Sequence, residues 1–332
     1  MTCSHIRRAV LWHALSVLAA IAVIAADAPA SAQSWPDKTI TFLNPFPAGG
    51  GTDAFARPLA ADLTKQLGKS VIIDNRGGAG GTLGAGIAAR AAKDGYTFLV
   101  GAVHHTIAPS IYDKLTYDLE KDFVPVAVIA VVPQVIVVNP NRVQATSLKD
   151  LIAFAKANPG KLNYASAGNG TAHHLAGELF KIATGTQIDH IPYKGAGPAM
   201  QDLLAGQVDL MFDGLGTSSA QIKSNRLRPL AVASAARAPS LPEVPTAKEA
   251  GLDGYVVSTW YGIWGIAGIP KDILERMGAE IAKAMNEEGI KTVWTQQGAT
   301  VGASKPEEMA AFVKSEIARW GKIAKDANIK ID

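Results

Sequence analysis

The sequence predicts an α/β protein in which two halves, each of alternating strands and helices, face one another across a cleft. Short apolar strands alternate with helical segments from Thr39 to Val100, and the same alternation returns from Leu162 to Phe212. Glycine-rich turns follow the strands in both halves. This alternation is typical of a parallel sheet covered by helices. A length of 332 residues suggests two lobes rather than one core.

The first 32 residues are predicted to be a cleaved signal peptide. Arg7 and Arg8 supply a positive start, an apolar run extends from Ala14 to Ala26, and Ala30-Ser31-Ala32 is typical of a cleavage site. We therefore expect a periplasmic protein cleaved near Ala32, with an uncleaved anchor as the alternative. The only cysteine, Cys3, lies in this leader, so the exported chain has neither disulfides nor thiolate metal ligands.

The first glycine-rich turn, Pro45 to Asp53, lies between the predicted strand Thr39–Leu43 and the predicted helix Ala54–Leu67. Glycines allow a ligand close to the backbone, and a helix start offers free N–H groups, so the turn favours a phosphate or a carboxylate. Its glycines also nearly match a dinucleotide fingerprint, with Asp74 as the acid. The prolines before the glycines and the export signal argue against that alternative; a purely structural turn stays open.

A second turn, Asn75 to Thr82, joins the predicted strand Ser70–Asp74 to an alanine-rich helix from Leu83 to Ala92. Arg76 is either a clamp for a carboxylate or a solvated ion-pair partner. A third strand, Tyr96 to Val100, is followed by His104-His105-Thr106, which we expect on a loop. The ends of these three strands point the same way, and ligands bind at such ends in open parallel sheets.

The second half offers another anion cradle, Ser166 to Thr171, ahead of a predicted helix that begins at Ala172. Its alternative is an ordinary helix cap by Asn169 or Thr171. Two more strands end in the same sense as the strand before Ser166. The residues at their ends, Tyr193-Lys194-Gly195 and Asp213, are further candidates for ligand contact. Lys194 could equally be a solvated surface lysine.

The remaining elements are predicted from periodicity and caps. A long apolar stretch, Val124 to Val138, is interrupted by Pro125 and Pro133 and ends in a strand. The helix Ser147–Asn158 starts with a capping box. Further helices are expected at 272–286 and 304–327, the last with one apolar face.

Histidines at 104, 105, 173 and 174 raise the question of a metal, but no third ligand is placed by spacing, so we expect no metal. A hydrolase triad of Ser166, His174 and Asp213 is conceivable, although no nucleophile elbow surrounds Ser166. The net charge of +3 and the absence of a lysine or arginine run exclude a nucleic-acid surface.

Taken together, these motifs resemble the Bug, or TctC-type, family of extracytoplasmic solute receptors for tripartite tricarboxylate transporters. The resemblance covers nearly all of the chain after the leader, in family order. It rests on Trp35 to Lys38, Pro45 to Asp53, Asn75 to Gly81, Asp94 to Thr97, Ser166 to Phe180, His190 to Gly197 and Gly206 to Gly214.

The resemblance implies a type II periplasmic-binding-protein fold with two lobes, a hinge and a small carboxylate held in the cleft. We expect lobe 1 at residues 33–137 and 258–332, and lobe 2 at residues 138–257. The implied partners are the carboxylate and the membrane permease subunits of the transporter. We expect a monomer without cofactor, nucleic acid or enzymatic activity. The alternatives are an exported hydrolase using Ser166 and His174, and the ligand-sensing subunit of a signalling system.

Carried onto this chain, the resemblance places the ligand between the turns 46–53 and 75–82, with second-lobe partners at Ser166, Gly170, Thr171 and Asp213. The residues 104–106 would vary with ligand identity. With the strand-end candidates added, the predicted ligand-binding residues are Phe46, Pro47, Ala48, Gly49, Gly50, Thr52, Asp53, Asn75, Arg76, Gly78, Ala79, Gly80, His104, His105, Thr106, Ser166, Ala167, Gly168, Asn169, Gly170, Thr171, His174, Tyr193, Lys194, Gly195 and Asp213.

Overall fold

The structure, a computed structural model, describes residues 35–326 and 329–331. The predicted signal peptide, Cys3 and the cleavage site near Ala32 lie outside the described residues. All strands and helices named below belong to the unit Lys38–Asp332. No helix within the described ranges has the length and apolar character needed to cross a membrane.

The order of strands and helices follows the alternation predicted from the sequence. The strands are β1 Ile40–Asn44, β2 Val71–Asn75, β3 Thr97–Ala102, β4 Phe123–Val138, β5 Asn163–Ser166, β6 Asp189–Pro192, β7 Leu210–Gly214, β8 Arg228–Val232, β9 Ser258–Ile266 and β10 Thr300–Val301. The α-helices are α1 Gly51–Leu67, α2 Thr82–Ala88, α3 His104–Ile111, α4 Leu148–Ala157, α5 Ala172–Thr184, α6 Ala196–Ala205, α7 Leu215–Lys223, α8 Lys271–Ala284, α9 Glu288–Gln296 and α10 Pro306–Asp326.

The strands form one mixed sheet in the order β2-β1-β3-β9-β4-β7-β5-β6, with β8 and β10 pairing to β4. At one side β1 is parallel to β2 and β3, and at the other β5 is parallel to β6 and β7. The antiparallel strands β9 and β4 lie between these two groups. The α/β prediction is confirmed, and the carboxyl ends of β1, β3 and β5 lead into helices that begin at the functional site described below.

Strand β4 joins the two parallel groups and is a single strand of 16 residues. It pairs with β9 as far as Pro133, and from Gln134 it pairs with β7. The prediction of an interruption at Pro125 and Pro133 was wrong. Proline lacks a backbone donor, and Pro125 lies beside a shift in register, where the ladder is already irregular.

Two helix starts differ from the prediction in ways that matter for the site. Helix α1 begins at Gly51 rather than Ala54, so Thr52 and Asp53 belong to its first turn. The residues His104 to Thr106 are not on a loop, because they form the first turn of α3. Pro109 lies inside this short helix, and a proline usually indicates the end of a helix, so the sequence did not predict one here. The capping box at Ser147 is confirmed, with its hydroxyl accepting from the N–H of Asp150.

The core includes large aromatic side chains on β9 and α10. Trp260 and Trp264 of β9 and Trp320 of α10 are almost fully buried. The apolar face predicted for the last helix is confirmed at Met309 and Val313, which are also buried. This packing holds β9 against the helix layer and so fixes the strand that carries Thr259 and Tyr261.

Candidate functional site

A small, partly open cavity of about 30 Å³ lies where strand ends and helix starts of the two parallel groups meet. This volume accommodates about two water molecules. Its walls are mostly apolar or small, and none of the described residues lining it is a lysine, arginine, aspartate or glutamate. The lining residues are Phe46, Gly50, Gly51, Thr52, Ala102, Val103, His104, Ala167, Thr171, Ala172, His173, Ala196, Thr259 and Tyr261.

Four helices begin at this cavity. In none of the four does the side chain of the N-cap residue form a capping hydrogen bond to the first turn. They are α1, α3, α5 and α6, whose first residues Gly51, His104, Ala172 and Ala196 all line the cavity. The first N–H groups of a helix have no partner within the helix, and its N-terminus carries partial positive charge. Four such ends around one space favour an anion in it.

Glycine is required at the start of α1 because the chain passes directly against Tyr261. A Cβ added to Gly51 would lie only 2.1 Å from Tyr261 Oη. Burial raises the pKa of Tyr261, and the charge of Asp213 raises it further. Its hydroxyl therefore remains protonated beside the free N–H groups of α1. Gly51 lies within the predicted first turn, but neither Gly51 nor Tyr261 was among the individual residues predicted to bind the ligand.

Asp53 and Asn75 hold the first turn in place through hydrogen bonds to its backbone. The Asp53 carboxylate accepts hydrogen bonds from the N–H of Gly49 at 3.0 Å, from Arg57 Nε at 2.7 Å and from Asn75 Nδ2 at 3.2 Å. Asn75 Nδ2 also donates to the carbonyl of Phe46 at 2.8 Å. Burial alone would raise the pKa of Asp53, but these hydrogen bonds outweigh it and the pKa is lowered. Neither residue lines the cavity, so we assign both to positioning the turn.

The neighbouring residues of the first turn occupy different places. Phe46 and Gly50 line the cavity, whereas Ala48 and Gly49 line a second, more open pocket of about 400 Å³. Pro47 packs between Gly77 and Gly195, where an added Cβ would lie 2.6 and 2.8 Å from Pro47 Cδ. The first turn thus touches both the second turn and the start of α6.

The second turn contacts the opposite half of the sheet instead of lining the cavity. The Tyr112 hydroxyl donates to the carbonyl of Asn169 at 3.0 Å and lies 3.3 Å from that of Ala79. At Gly80 an added Cβ would be 2.3 Å from the Asn169 carbonyl oxygen, and at Gly78 it would meet Leu83.

Arg76 is exposed and pairs with Asp74 at 3.0 Å. Its side chain therefore has the solvated ion-pair role that the sequence left open, and Arg76 does not line the cavity.

His104 lines the cavity, with His105 and Thr106 buried behind it. The His104 ring packs edge-on against Phe46 with centroids 4.6 Å apart. Burial lowers the pKa of His104 well below its ordinary value, helped by His105 and His173, and burial lowers the pKa of His105 to about 3. Both rings are therefore neutral at physiological pH. Thr106 donates its hydroxyl to the Val103 carbonyl and closes the first turn of α3.

The cradle Ser166 to Thr171 contributes Ala167 and Thr171 to the cavity. Gly168 and Gly170 have positive φ and pack closely against Gly80 and Tyr112. The Ser166 side chain is fully buried and turned away: its Oγ lies 2.6 Å from His190 Nε2 and accepts from the N–H of Gly168.

His174 does not line the cavity either. Its ring stacks on His190, and its Nδ1 accepts from the N–H of Gly170.

His173, which was not among the predicted site residues, takes the place expected for His174. It lines the cavity, and its Nε2 lies 3.0 Å from Asp213 Oδ1. Asp213 is fully buried and also accepts from the hydroxyls of Thr217 and Ser218, so its carboxylate is occupied within the protein. Successive helical residues point about 100° apart, so only one of the two histidines can face the ligand space. The sequence alone offered no means of choosing between them.

The hydrolase triad considered from the sequence is not assembled. Asp213 contacts His173 rather than His174, and Ser166 contacts His190. In the described part of the chain, no group of three or more histidine, cysteine, aspartate or glutamate side chains could hold a metal ion.

Tyr193 and Lys194 lie outside the cavity as well. The Tyr193 hydroxyl donates to Asp202 at 2.7 Å, and Lys194 is exposed. Gly195 precedes α6 and packs against Pro47. The residues that the sequence prediction missed are Gly51, Ala102, Val103, Ala172, His173, Ala196, Thr259 and Tyr261. The start of a predicted helix pointed to Ala172, whereas Ala196 was expected on a loop before a helix beginning at Pro198. The aromatic run that contains Tyr261 favoured the core over a ligand platform, and nothing local pointed to Thr259.

The neutral buried histidines predict a loss of stability in mild acid. Their pKa values are lower in the folded chain than in the unfolded chain, so unfolding takes up protons once the pH falls below about 6.5. His104 and His105 together should lower the unfolding free energy by roughly 3 kcal/mol per pH unit near pH 5. Denaturant titrations of the ligand-free protein at pH 7.5, 6.5, 5.5 and about 5 check this. An unfolding free energy that stays constant down to about pH 5 would contradict it.

The chain is similar to proteins of a known family in both sequence and structure. The sequence model of the family described as "TctC: Tripartite tricarboxylate transporter family receptor" matches residues 55–329. The structure of periplasmic binding protein BugD is similar with a TM-score of 0.86 at 35% identity, covering 89% of this chain and 99% of that one.

Two similar structures contain carboxylates. Rpa4515 from R. palustris, solved with adipate, has a TM-score of 0.86 at 38% identity and covers 89% of this chain and 99% of its own. MatC from Rhodopseudomonas palustris, with bound malate, has a TM-score of 0.83 at 33% identity and covers 87% of this chain and 99% of its own.

Proposed function

This chain belongs to the TctC family of tripartite tricarboxylate transporter receptors, and we propose that it captures a small organic carboxylate in the cavity described above. The observation that carries the proposal is the convergence of four helix N-termini without side-chain caps on one small cavity, whose described lining residues carry no lysine, arginine, aspartate or glutamate. Such a site stabilises an anion through backbone N–H groups and helix dipoles. The adipate and malate bound by similar proteins support the same ligand class.

We propose that the cleft opens and closes between the predicted lobes, residues 33–137 with 258–332 and residues 138–257. The change of partner along β4 at Pro133 and Gln134 supports a hinge in that strand, four residues before the predicted boundary. A cavity of about 30 Å³ admits little more than one carboxylate group. Entry of a whole ligand therefore requires the turns at Gly80 and Asn169 to separate, and closure over the ligand then excludes water.

We further propose that the chain works in the periplasm after cleavage near Ala32, as a monomer that presents the closed form to the permease subunits of its transporter. A binding rather than catalytic role is supported by the receptor family and by the buried Ser166. Transport assays with and without the permease subunits test the partner. Mass spectrometry of bound esters or amides after incubation tests for turnover, and any product would contradict a purely binding role.

Thermal unfolding in the presence of small carboxylates tests the ligand class. We expect at least one member of a panel containing adipate, malate, citrate and benzoate to raise the melting temperature on the order of 5 °C at a concentration near 100 Kd. The neutral diamide of adipate is the matched control, because it has a similar shape without charge. Equal stabilisation by the diamide, or none by a broad panel, would contradict the proposal.

A further inference from the structure

A chain of three buried side chains runs from the core to the cavity. Tyr117 Oη lies 3.1 Å from His105 Nδ1, and His105 Nε2 lies 3.0 Å from His104 Nε2. Tyr117 and His104 are 6% and 4% exposed, and His105 is fully buried. Of the three, only His104 lines the cavity. The order from the core outward is therefore Tyr117, His105, His104.

The protons in this chain have two consistent arrangements. A neutral imidazole carries one N–H and one acceptor nitrogen, so fixing either hydrogen bond fixes the other. In one arrangement Tyr117 donates to His105 and His105 donates to His104, which leaves the His104 proton on Nδ1. In the reverse arrangement the buried Tyr117 hydroxyl accepts, and among the described residues its proton then has no acceptor. An unpaired buried donor is costly, so the first arrangement is favoured.

The contacts of His104 decide which edge of its ring meets a ligand. Its Nε2 edge faces His105 and the backbone at Gly81, where an added Cβ would lie 2.7 Å from Nε2 and 2.8 Å from Cδ2. Because the Nε2 edge of His104 is occupied by these contacts, the Nδ1 edge is the one that can meet a molecule in the cavity. Burial keeps both histidine rings neutral, so each ring carries a single proton. The direction of the two hydrogen bonds is therefore kept.

We propose that His104 is a specificity-determining donor that presents Nδ1–H to an oxygen of the bound carboxylate, and that Tyr117, acting through His105, is the positioning residue that holds this tautomer. The proposal rests on the proposed function, because it names the protein group that the ligand oxygen meets. It also defines the ligand more narrowly: the atom at this position must be a hydrogen-bond acceptor. A neutral donor provides this selectivity without placing a positive charge in the cavity.

Nitrogen-15 NMR of the ligand-free protein reads the tautomer directly, since protonated and unprotonated ring nitrogens differ widely in chemical shift. We expect His104 to carry its proton on Nδ1 and His105 to carry its proton on Nε2. A proton on Nε2 of His104 would overturn the proposal. Because no ligand is present, this result is independent of the proposed function. It also decides the matter if the variant below fails to fold.

Tyr117→Phe removes only the hydroxyl that fixes the tautomers of His105 and His104. We expect a mixture of tautomers at His104 and an affinity for the best-binding panel carboxylate that falls roughly three- to tenfold. Tyr255→Phe is the matched control, because the buried Tyr255 hydroxyl donates to the Ala176 carbonyl at 2.8 Å, away from the histidines. It should lose stability but keep the His104 tautomer and the affinity. An unchanged tautomer and affinity in Tyr117→Phe, or equal losses in both variants, would overturn the proposal.

Discussion

Gly80→Ala is expected to weaken carboxylate binding roughly tenfold to a hundredfold while the protein still folds. A Cβ at Gly80 would lie 2.3 Å from the Asn169 carbonyl oxygen and 2.9 Å from Tyr112 Oη. The added methyl can be accommodated only if the second turn moves away from the Ser166–Thr171 cradle, which favours the open cleft. Overpacking of this kind costs about 1–3 kcal/mol, which sets the size of the effect. Isothermal titration with the best-binding panel carboxylate measures it.

Gly68→Ala separates closure from backbone strain. Gly68 has a φ of +64°, close to the +59° of Gly80, but an added Cβ there meets nothing within 4 Å. Both alanines carry the strain of a left-handed conformation, about 1 kcal/mol, and should lower the melting temperature. Only Gly80→Ala should lower the affinity. If the two variants bind alike, the contact between Gly80 and Asn169 has no role in ligand capture.

Glu316→Ala is expected to lower the unfolding free energy by about 3 kcal/mol without changing ligand affinity. The Glu316 side chain is buried, and one oxygen, Oε2, accepts from Trp260 Nε1 at 2.9 Å and from Trp320 Nε1 at 3.0 Å. Alanine leaves both indole N–H groups buried without this acceptor, and it also leaves a cavity. Denaturant unfolding at pH 7.5 measures the loss.

Two further variants make this test specific. Glu316→Gln keeps an acceptor oxygen of nearly the same shape, so it should retain much of the stability. Glu275→Ala removes an exposed carboxylate that pairs with Lys271 at the surface, and it should have little effect. If Glu316→Ala is as stable as Glu275→Ala, the shared acceptor does not hold α10 to β9.

The local parts of this protein were readable from the sequence. Strand alternation, the glycine turns, the capping box at Ser147 and the apolar face of α10 all depend on residues within a few positions of each other. The first turn was predicted to be an anion cradle for the same reason, since its glycines adjoin the start of a helix. The errors were local too: Pro109 hid a short helix, and Pro125 and Pro133 hid the continuity of β4.

The order of strands and helices and the positions of the glycine-rich turns follow from the sequence, because they depend on periodicity and backbone freedom. Which side chains line the cavity depends on how distant segments pack together. The tertiary structure brought Thr259 and Tyr261 from β9 to helix starts some 60 to 210 positions away, turned His173 rather than His174 into the cavity, and linked His104 through His105 to Tyr117. It also buried Glu316, a charge that local pattern would assign to solvent, because two indole donors from different elements converge on it. Such choices depend on strand order and packing between distant segments, which no short stretch of sequence records.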